Sequence, residues 1–477
     1  MQAKLLVALS AAAAAADNSS SSKGERILGV YIFHRHGDRT AKAWPPTNLT
    51  SLGAAEVRSS GAFYRRRYVE PGGPLRIAGI SPDAALPQVS VTSPRDAVLL
   101  GSASAFLQGL YPTTDGGGGG PVPVDSVPGA AAAAENQGWL QGSSGCDKGV
   151  ASSNAYLASA DYGETLRATK PFYQALLPVI NSTFGRDAAN FKNAYTIFDY
   201  INVARIHNSS MPSADLVTDD TLSSLRALAS THEWNLAYNA SEPVRAIAGS
   251  LLAGQVLGSL QAVVDGGGRG GPRGGSPPPR LSVQFGPYGT FMAFFGLAQL
   301  PRASPDFYGI CDYASSMVFE LYTASSAARP SADDVSVRFL FANGTAAGDR
   351  LRPFALFGQD STSLPWNDFK SGMGRFAVAD TDTRHYCQLC GGTSPACAAG
   401  STDSSGSGAP SAQSCSNDPG SGVSKPVAGV IGALVTLIVI LGLQAAVMLF
   451  GGLRLVKKST LAGPRGPETA GGKGQGQ

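Results

Sequence analysis

Three stretches of the chain carry apolar residues in nearly unbroken runs of strand length, and each leads through a turn into a helical pattern. The first, residues 27–33 (Ile-Leu-Gly-Val-Tyr-Ile-Phe), runs straight into His34-Arg35-His36-Gly37. A run without polar alternation suits a central parallel strand covered on both faces. The second is Val89-Ser90-Val91-Thr92, followed by Ser93-Pro94-Arg95-Asp96, where Ser93 is placed to cap a helix with Pro94 in its first turn. That helix is expected to reach about Leu110. The third, residues 281–285, passes a Gly/Pro turn into an apolar helix around residues 290–300, whose Phe291, Phe294 and Phe295 have the spacing of core packing. Together they predict an α/β fold, a doubly wound and mainly parallel sheet with helices on both faces. Helical patterning prevails between about residues 139 and 262, which predicts a helical insertion lobe beside the sheet. Ligands of open α/β sheets bind outside the carboxyl ends of the strands, so the three junctions are expected to converge on one pocket.

Two further apolar segments lie at the ends. Residues 1–16 place Lys4 before a Leu-Leu-Val-Ala-Leu stretch and small alanines, the layout of a secretory signal peptide. From Val427 to Phe450 the chain is apolar apart from Thr436 and Gln444, long enough to span a hydrocarbon core of roughly 30 Å as a helix. Arg454, Lys457 and Lys458 follow, as expected at a cytoplasmic end. Low-complexity stretches divide the rest. A glycine run after Asp115 and a Gly/Arg/Pro mixture from Asp265 to Pro279 read as loops, and a Ser/Gly stretch as a stalk. The expected organisation is a signal peptide at 1–16, an α/β ectodomain at 24–397, a stalk at 398–425, one C-terminal transmembrane helix at 426–453 and a tail at 454–477. That organisation predicts a single-pass type I membrane protein whose ectodomain is extracellular or lumenal.

Composition adds to this picture. With 43% hydrophobic and 15% charged residues the body has material for a sizeable core. A net charge of +3 without basic blocks excludes a nucleic-acid partner. The sequons at Asn18, Asn48, Asn181, Asn208, Asn239 and Asn343 all precede the predicted span. So do the six cysteines, Cys146, Cys311, Cys387, Cys390, Cys397 and Cys415, which in an oxidising lumen are expected to form disulfides of unspecified pairing. Cys387-x-x-Cys390 lacks the accompanying histidines of a zinc site, so structural bridges are expected there too.

The chemistry concentrates in Arg35-His36-Gly37-Asp38-Arg39. Two guanidinium groups and an imidazole stand at the end of a buried strand, with a glycine that lets backbone approach a ligand. Arginine forks match phosphate oxygens, and a neutral imidazole can attack phosphorus to form a phosphohistidine. Neighbouring positive charge disfavours imidazolium, which predicts activity at acidic pH. The strand followed by Arg-His-Gly-x-Arg resembles the signature of the histidine acid phosphatases, within the wider phosphoglycerate-mutase-like superfamily. The block from Thr92 through Arg95-Asp96 to Tyr111-Pro112 is similar to the family's second block, and the resemblance runs from about Ile27 past Leu300. It implies phosphomonoester hydrolysis, with His36 as nucleophile and Arg35, Arg39 and Arg95 binding phosphate. No metal or other cofactor is implied, since arginines supply the charge neutralisation and no convincing His/Asp cluster is present in the sequence.

The chain departs from the family in its third unit. A His-Asp pair is usual there, its histidine binding phosphate and its aspartate protonating the leaving oxygen. Ungapped alignment puts Gln284 and Phe285 at those positions. Gln284 retains the ability to hydrogen-bond a phosphate oxygen; Phe285 has no proton to give. His232-Glu233 and Asp312 are substitutes that the sequence does not bring to the cleft. The main rival reading is a weak or inactive relative that binds phosphorylated ligands at a membrane surface; a sugar-phosphate mutase fits poorly with the leader and span.

Overall fold

The computed structural model describes residues 24–84, 88–112, 122–126, 145–266, 277–379, 382–391 and 397. The predicted signal peptide, stalk, transmembrane helix and tail lie outside the described residues, as do Cys415 and most of both glycine-rich loops.

The three apolar runs form adjacent strands of one sheet. They are β1 (Arg26–Arg35), β2 (Val89–Thr92) and β4 (Leu281–Gly286), with the short β3 (Val124–Asp125) beside β2. Beyond β1 come β5 (Ser316–Thr323), β6 (Val335–Ala342), β7 (Arg352–Pro353) and β8 (Ser363–Pro365), in the order β3-β2-β4-β1-β5-β6-β7, with β8 also paired to β6. The sheet is mixed. From β3 to β1 the strands are parallel, and from β5 onward each pairs antiparallel. In the antiparallel half all eight positions of β5 are buried, although the strand carries Glu320, whose carboxylate is paired by Arg67 and Arg338.

Alternation along β1 sends side chains into two cores. Tyr31 and Phe33 face one; Val30 and Ile32 face the other, with His34 lying between the rings of Phe106 and Phe285 on that side. The second core is roofed by α1 (Ser51–Tyr64) and α2 (Ala97–Leu110). The first is covered by α8 (Ile247–Val264) and α9 (Tyr288–Leu297), and continues into the predicted lobe. Within the lobe α3 (Asp147–Leu157), α4 (Ala160–Ala175), the single turn α5 (Leu177–Ile180), α6 (Ala194–Ile206) and α7 (Asp219–Ala237) follow one another. At the far end come α10 (Trp366–Gly374) and α11 (Thr383–Cys390). Helices therefore lie on both faces, as the sequence predicts. The stretch Pro243–Val264 is long and apolar enough to cross a membrane, yet half of it is buried against α9 and the sheet, which makes it a core helix.

One detail differs at the start of α2. The helix begins at Ala97, and its cap is Asp96, whose Oδ1 accepts from Val98 N at 2.9 Å and Leu99 N at 3.0 Å. A carboxylate that takes two of the unpaired N–H groups outcompetes the Ser93 hydroxyl, which donates to the Pro94 carbonyl. Disulfides join Cys146 to Cys390 and Cys387 to Cys397, so the two cysteines of the C-x-x-C segment go to different partners. Cys311 is a free, buried thiol.

Candidate active site

The parallel register aligns Thr92 with Gln284 and Gln284 with Phe33, so β2, β4 and β1 end together at one edge of the sheet. The segments Ser93–Asp96, Gly286–Tyr288 and His36–Arg39 therefore leave the sheet side by side. The 36–39 loop is held from both sides. The Gly37 N–H donates to Ser102 Oγ on α2 at 3.3 Å, and the Ala314 N–H donates to the His36 carbonyl at 2.9 Å. A Cβ on Gly37 would stand 2.2 Å from the Gly53 carbonyl oxygen, and one on Gly53 would stand 2.1 Å from that of Asp38. Only glycine at both positions lets α1 pack this closely on the loop.

His36 is buried, with 8% of its surface exposed. Its Nδ1 lies 2.8 Å from the Gly37 carbonyl oxygen, and because a carbonyl can only accept, Nδ1 carries the proton and Nε2 the lone pair. Burial, then the charges of Arg35 and Arg39, push its pKa well below 6.5; Lys42 adds to them and the Gly37 carbonyl opposes them. The imidazole is thus neutral across the mildly acidic range.

Arg35 donates through Nη1 to the Cys311 carbonyl, and its guanidinium lies 4.6 Å from the ring centre of Tyr313 and 5.2 Å from that of Tyr288. Its Nε is buried without a hydrogen-bond partner among the described residues. Arg39 is held differently. Its Nη1 and Nη2 reach Asp199 of α6 at 3.1 Å and 2.8 Å, and Nη2 also donates to the Tyr195 hydroxyl at 2.9 Å. Asp199 further accepts from the Lys42 N–H at 2.7 Å and the Tyr313 hydroxyl at 3.2 Å. The Arg39 fork therefore faces a protein carboxylate, and both partners are almost wholly buried.

Arg95 is exposed beside the cap of α2 and makes no ion pair among the described residues; the structure brings together His36, Arg35 and Arg39 and leaves it outside their contacts. Gln284 is buried within β4, where its Oε1 accepts from the Tyr31 hydroxyl. Phe285 is wholly buried in the second core. The strand continues to Gly286 and α9 starts at Tyr288, so the residues at the strand-to-helix junction are Pro287 and Tyr288, and Gln284 and Phe285 lie within the strand.

Two cavities, of about 270 Å³ and 250 Å³, open beside this edge. The first is lined by Arg35, Glu56, Asp199, Arg226, Asp312 and Tyr313 among others, the second by Lys42, Glu233, Pro287 and Tyr288 among others. Asp312 and Glu233 thus both reach the cleft region. Asp312 pairs with Arg226 at 2.6 Å; Glu233 lies 2.9 Å from His232 Nδ1 and accepts from the Tyr288 hydroxyl at 2.8 Å. Lys42, Glu56, Tyr195, Asp199, Tyr288 and Tyr313 were not legible as site residues. Asp199 left one trace, as a lone acid in the otherwise uncharged start of an apolar helix (Ala-Tyr-Thr-Ile-Phe-Asp).

Residues 43–342 match the family model of the histidine phosphatase superfamily, branch 2. The chain belongs to this family. Its fold is similar to that of Hafnia alvei phytase, with 14% identity, a TM-score of 0.52, and 75% of this chain and 98% of that one covered. A phytase from Citrobacter braakii gives 15% identity, a TM-score of 0.53 and coverage of 74% and 98%, and one from Klebsiella sp ASR1 gives 15%, 0.51, 74% and 96%. No curated protein matches the chain. The matched segment begins after Arg35–Arg39, so in this member of the family the Arg-His-Gly-x-Arg motif rests on its own geometry.

The neighbouring His34 gives the site a stability signature. Burial pushes its pKa down from 6.5 to about 4, against a hydrogen bond to the Arg35 carbonyl that raises it. The unfolded chain takes up this proton near pH 6.5 and the folded chain refuses it until about pH 4, so the contribution of His34 is complete above the first value and drains away toward the second. Its Nε2 is buried without a hydrogen bond among the described residues. A His34→Phe variant, matched to the aromatic site between Phe106 and Phe285, should lose stability less steeply than the parent over that window. Urea midpoints at pH 7 and pH 4.5 measure this; parallel declines in the two proteins would refute it.

Proposed function

We propose that this chain is an acid phosphatase that hydrolyses phosphomonoesters through a phosphohistidine on His36. The observation that carries the reading is the state of His36, a buried neutral imidazole whose Nε2 holds the lone pair, next to two buried guanidinium groups. Arg35 adds a buried Nε–H that lacks a partner, and such a donor gains most from an incoming anion. In the proposed reaction Nε2 attacks phosphorus while Arg35 and Arg39 stabilise charge on the equatorial oxygens, Arg39 by trading part of its hold on Asp199. Arg95 joins them as a third phosphate ligand by turning inward from its exposed position at the same sheet edge, while Gln284 contacts phosphate only if it releases the Tyr31 hydroxyl inside β4. Membership of the histidine phosphatase superfamily supports the reaction class; the physiological ester is left open.

A second reading, a weak or inactive phosphatase-like surface protein that binds phosphorylated ligands, is favoured by Pro287 and Tyr288 at the junction and by the occupied fork of Arg39. Rapid quenching with a ³²P-labelled aryl phosphate at pH 5 separates the two. The phosphatase reading expects protein-bound label that survives alkali and is lost in acid, the signature of a phosphorus–nitrogen bond. Saturable binding of phosphate without any such label would establish the second reading instead.

A further inference from the structure

A phosphohistidine mechanism on an alkyl ester needs a proton for the departing oxygen, and neither Pro287 nor Tyr288 at the strand-to-helix junction offers a carboxyl. Four carboxyl side chains line the two cavities: Glu56, Asp199, Asp312 and Glu233. Three of them are committed elsewhere. Asp199 is fixed by both Nη atoms of Arg39, the Lys42 N–H and the Tyr313 hydroxyl, which stabilise its anion. Asp312 is ion-paired with Arg226. Glu233 has one oxygen against His232 Nδ1 and the other accepting from the Tyr288 hydroxyl.

Glu56 is different. It projects from α1, and its Oε2 accepts the N–H of Asp38, two residues from His36, at 2.8 Å. Its Oε1 has no hydrogen bond among the described residues, and no cation pairs with it, while the side chain lines the same cavity as Arg35. Burial lifts its carboxyl above the ordinary range, against the Asp38 N–H, which lowers it; the Asp38 charge raises it further and Arg35 opposes. A carboxyl of this kind can hold a proton in mildly acidic solution and still give it up.

We infer that Glu56 is the proton donor to the leaving oxygen when the substrate is a phosphomonoester of an aliphatic alcohol. The inference rests on the phosphohistidine reading. In the first step the bond from His36 Nε2 to phosphorus forms as the ester P–O bond breaks, and the proton on Glu56 passes to the departing oxygen, which leaves as the alcohol. In the second step water attacks phosphorus and gives a proton to the Glu56 carboxylate, and the P–N bond breaks, releasing inorganic phosphate and returning both side chains to their starting states.

The alternative for Glu56 is an anchor for the 36–39 loop. Glu56→Gln separates the two, because the amide oxygen still accepts the Asp38 N–H but the acidic proton is gone. With the full-length chain, kcat/KM is measured for an alkyl phosphate and for an aryl phosphate of an acidic phenol. The donor role predicts a fall of about 10²-fold to 10³-fold on the alkyl ester and at most about tenfold on the aryl ester. Equal falls on both esters, or no fall on the alkyl ester, would overturn it. Should Glu56→Gln fail to fold, Glu56→Asp, which keeps a carboxyl at shorter reach, decides by the same ratio: a lowered alkyl-to-aryl ratio supports the donor and an unchanged one removes it. Failure of the parent reading is recognised separately, because the unsubstituted chain would then form no labelled phosphoenzyme even from the aryl ester, and the donor would fall with it.

Discussion

The His36→Ala variant is expected to keep its fold and lose turnover of an aryl phosphate by on the order of 10⁴-fold to 10⁶-fold, the scale seen when a covalent nucleophile is deleted. The imidazole touches little that holds the body together. Its ring neighbour is Tyr313 at 5.6 Å, and among the described residues its imidazole hydrogen-bonds only the adjacent Gly37 carbonyl. On the proposed mechanism, the substitution removes the lone pair that would attack phosphorus and leaves Arg35 and Arg39 in place. Binding of inorganic phosphate should therefore persist. Steady-state rates with isothermal titration of phosphate test both halves; a rate within tenfold of the parent would move the nucleophile elsewhere.

Asp199→Ala is expected to act mainly on stability. The carboxylate and Arg39 are 3% and 2% exposed and share two hydrogen bonds, while the Lys42 N–H and the Tyr313 hydroxyl complete the shell. Alanine would strand a guanidinium in a buried site. The expected loss is about 3–5 kcal/mol, most of it the cost of the unpaired cation rather than the worth of the pair. Asp199→Asn, which keeps one acceptor, should lose less. Urea unfolding of the three proteins measures the series, and a loss below about 1 kcal/mol for alanine would mean that Arg39 finds water or another acceptor at no cost.

What the sequence disclosed follows from periodicity. The runs at β1, β2 and β4 are long, uninterrupted and bounded by turn residues, and all three lie where they were expected, with the Arg-His-Gly-x-Arg segment at the end of β1. The antiparallel half was not foreseen. β5 and β6 follow the segments at 311–315 and 324–334 with only a single 3₁₀ turn (Ala332–Asp334) between them, and the partner of β1 on that side is chosen by packing over a separation of nearly the whole body. Within the site, the residues next to one another in sequence were legible and those assembled across it were not. Arg35, His36 and Arg39 form one motif. Glu56, Asp199, Tyr288 and Tyr313 come from four separate elements, and nothing local to any of them announces that they meet. The junction after β4 falls at the Gly/Pro turn that the sequence marks, while Gln284 and Phe285, expected at the site, lie inside the strand just before it.

Helix α6 touches the 36–39 loop at two places. Asp199, near its middle, takes Arg39, and His207, at its end, lies 2.7 Å from the buried carboxylate of Asp38, which also accepts from Thr50. The loop presents a carboxylate and a guanidinium at successive residues, and a single rod from the inserted lobe meets the first with an imidazole and the second with a carboxylate. The insertion thus helps to set the conformation of residues 36–39 and is not an ornament on a self-sufficient sheet: domain shuffling that exchanged the lobe for another would have to bring an acid and an imidazole two helical turns apart, or leave this loop without its template.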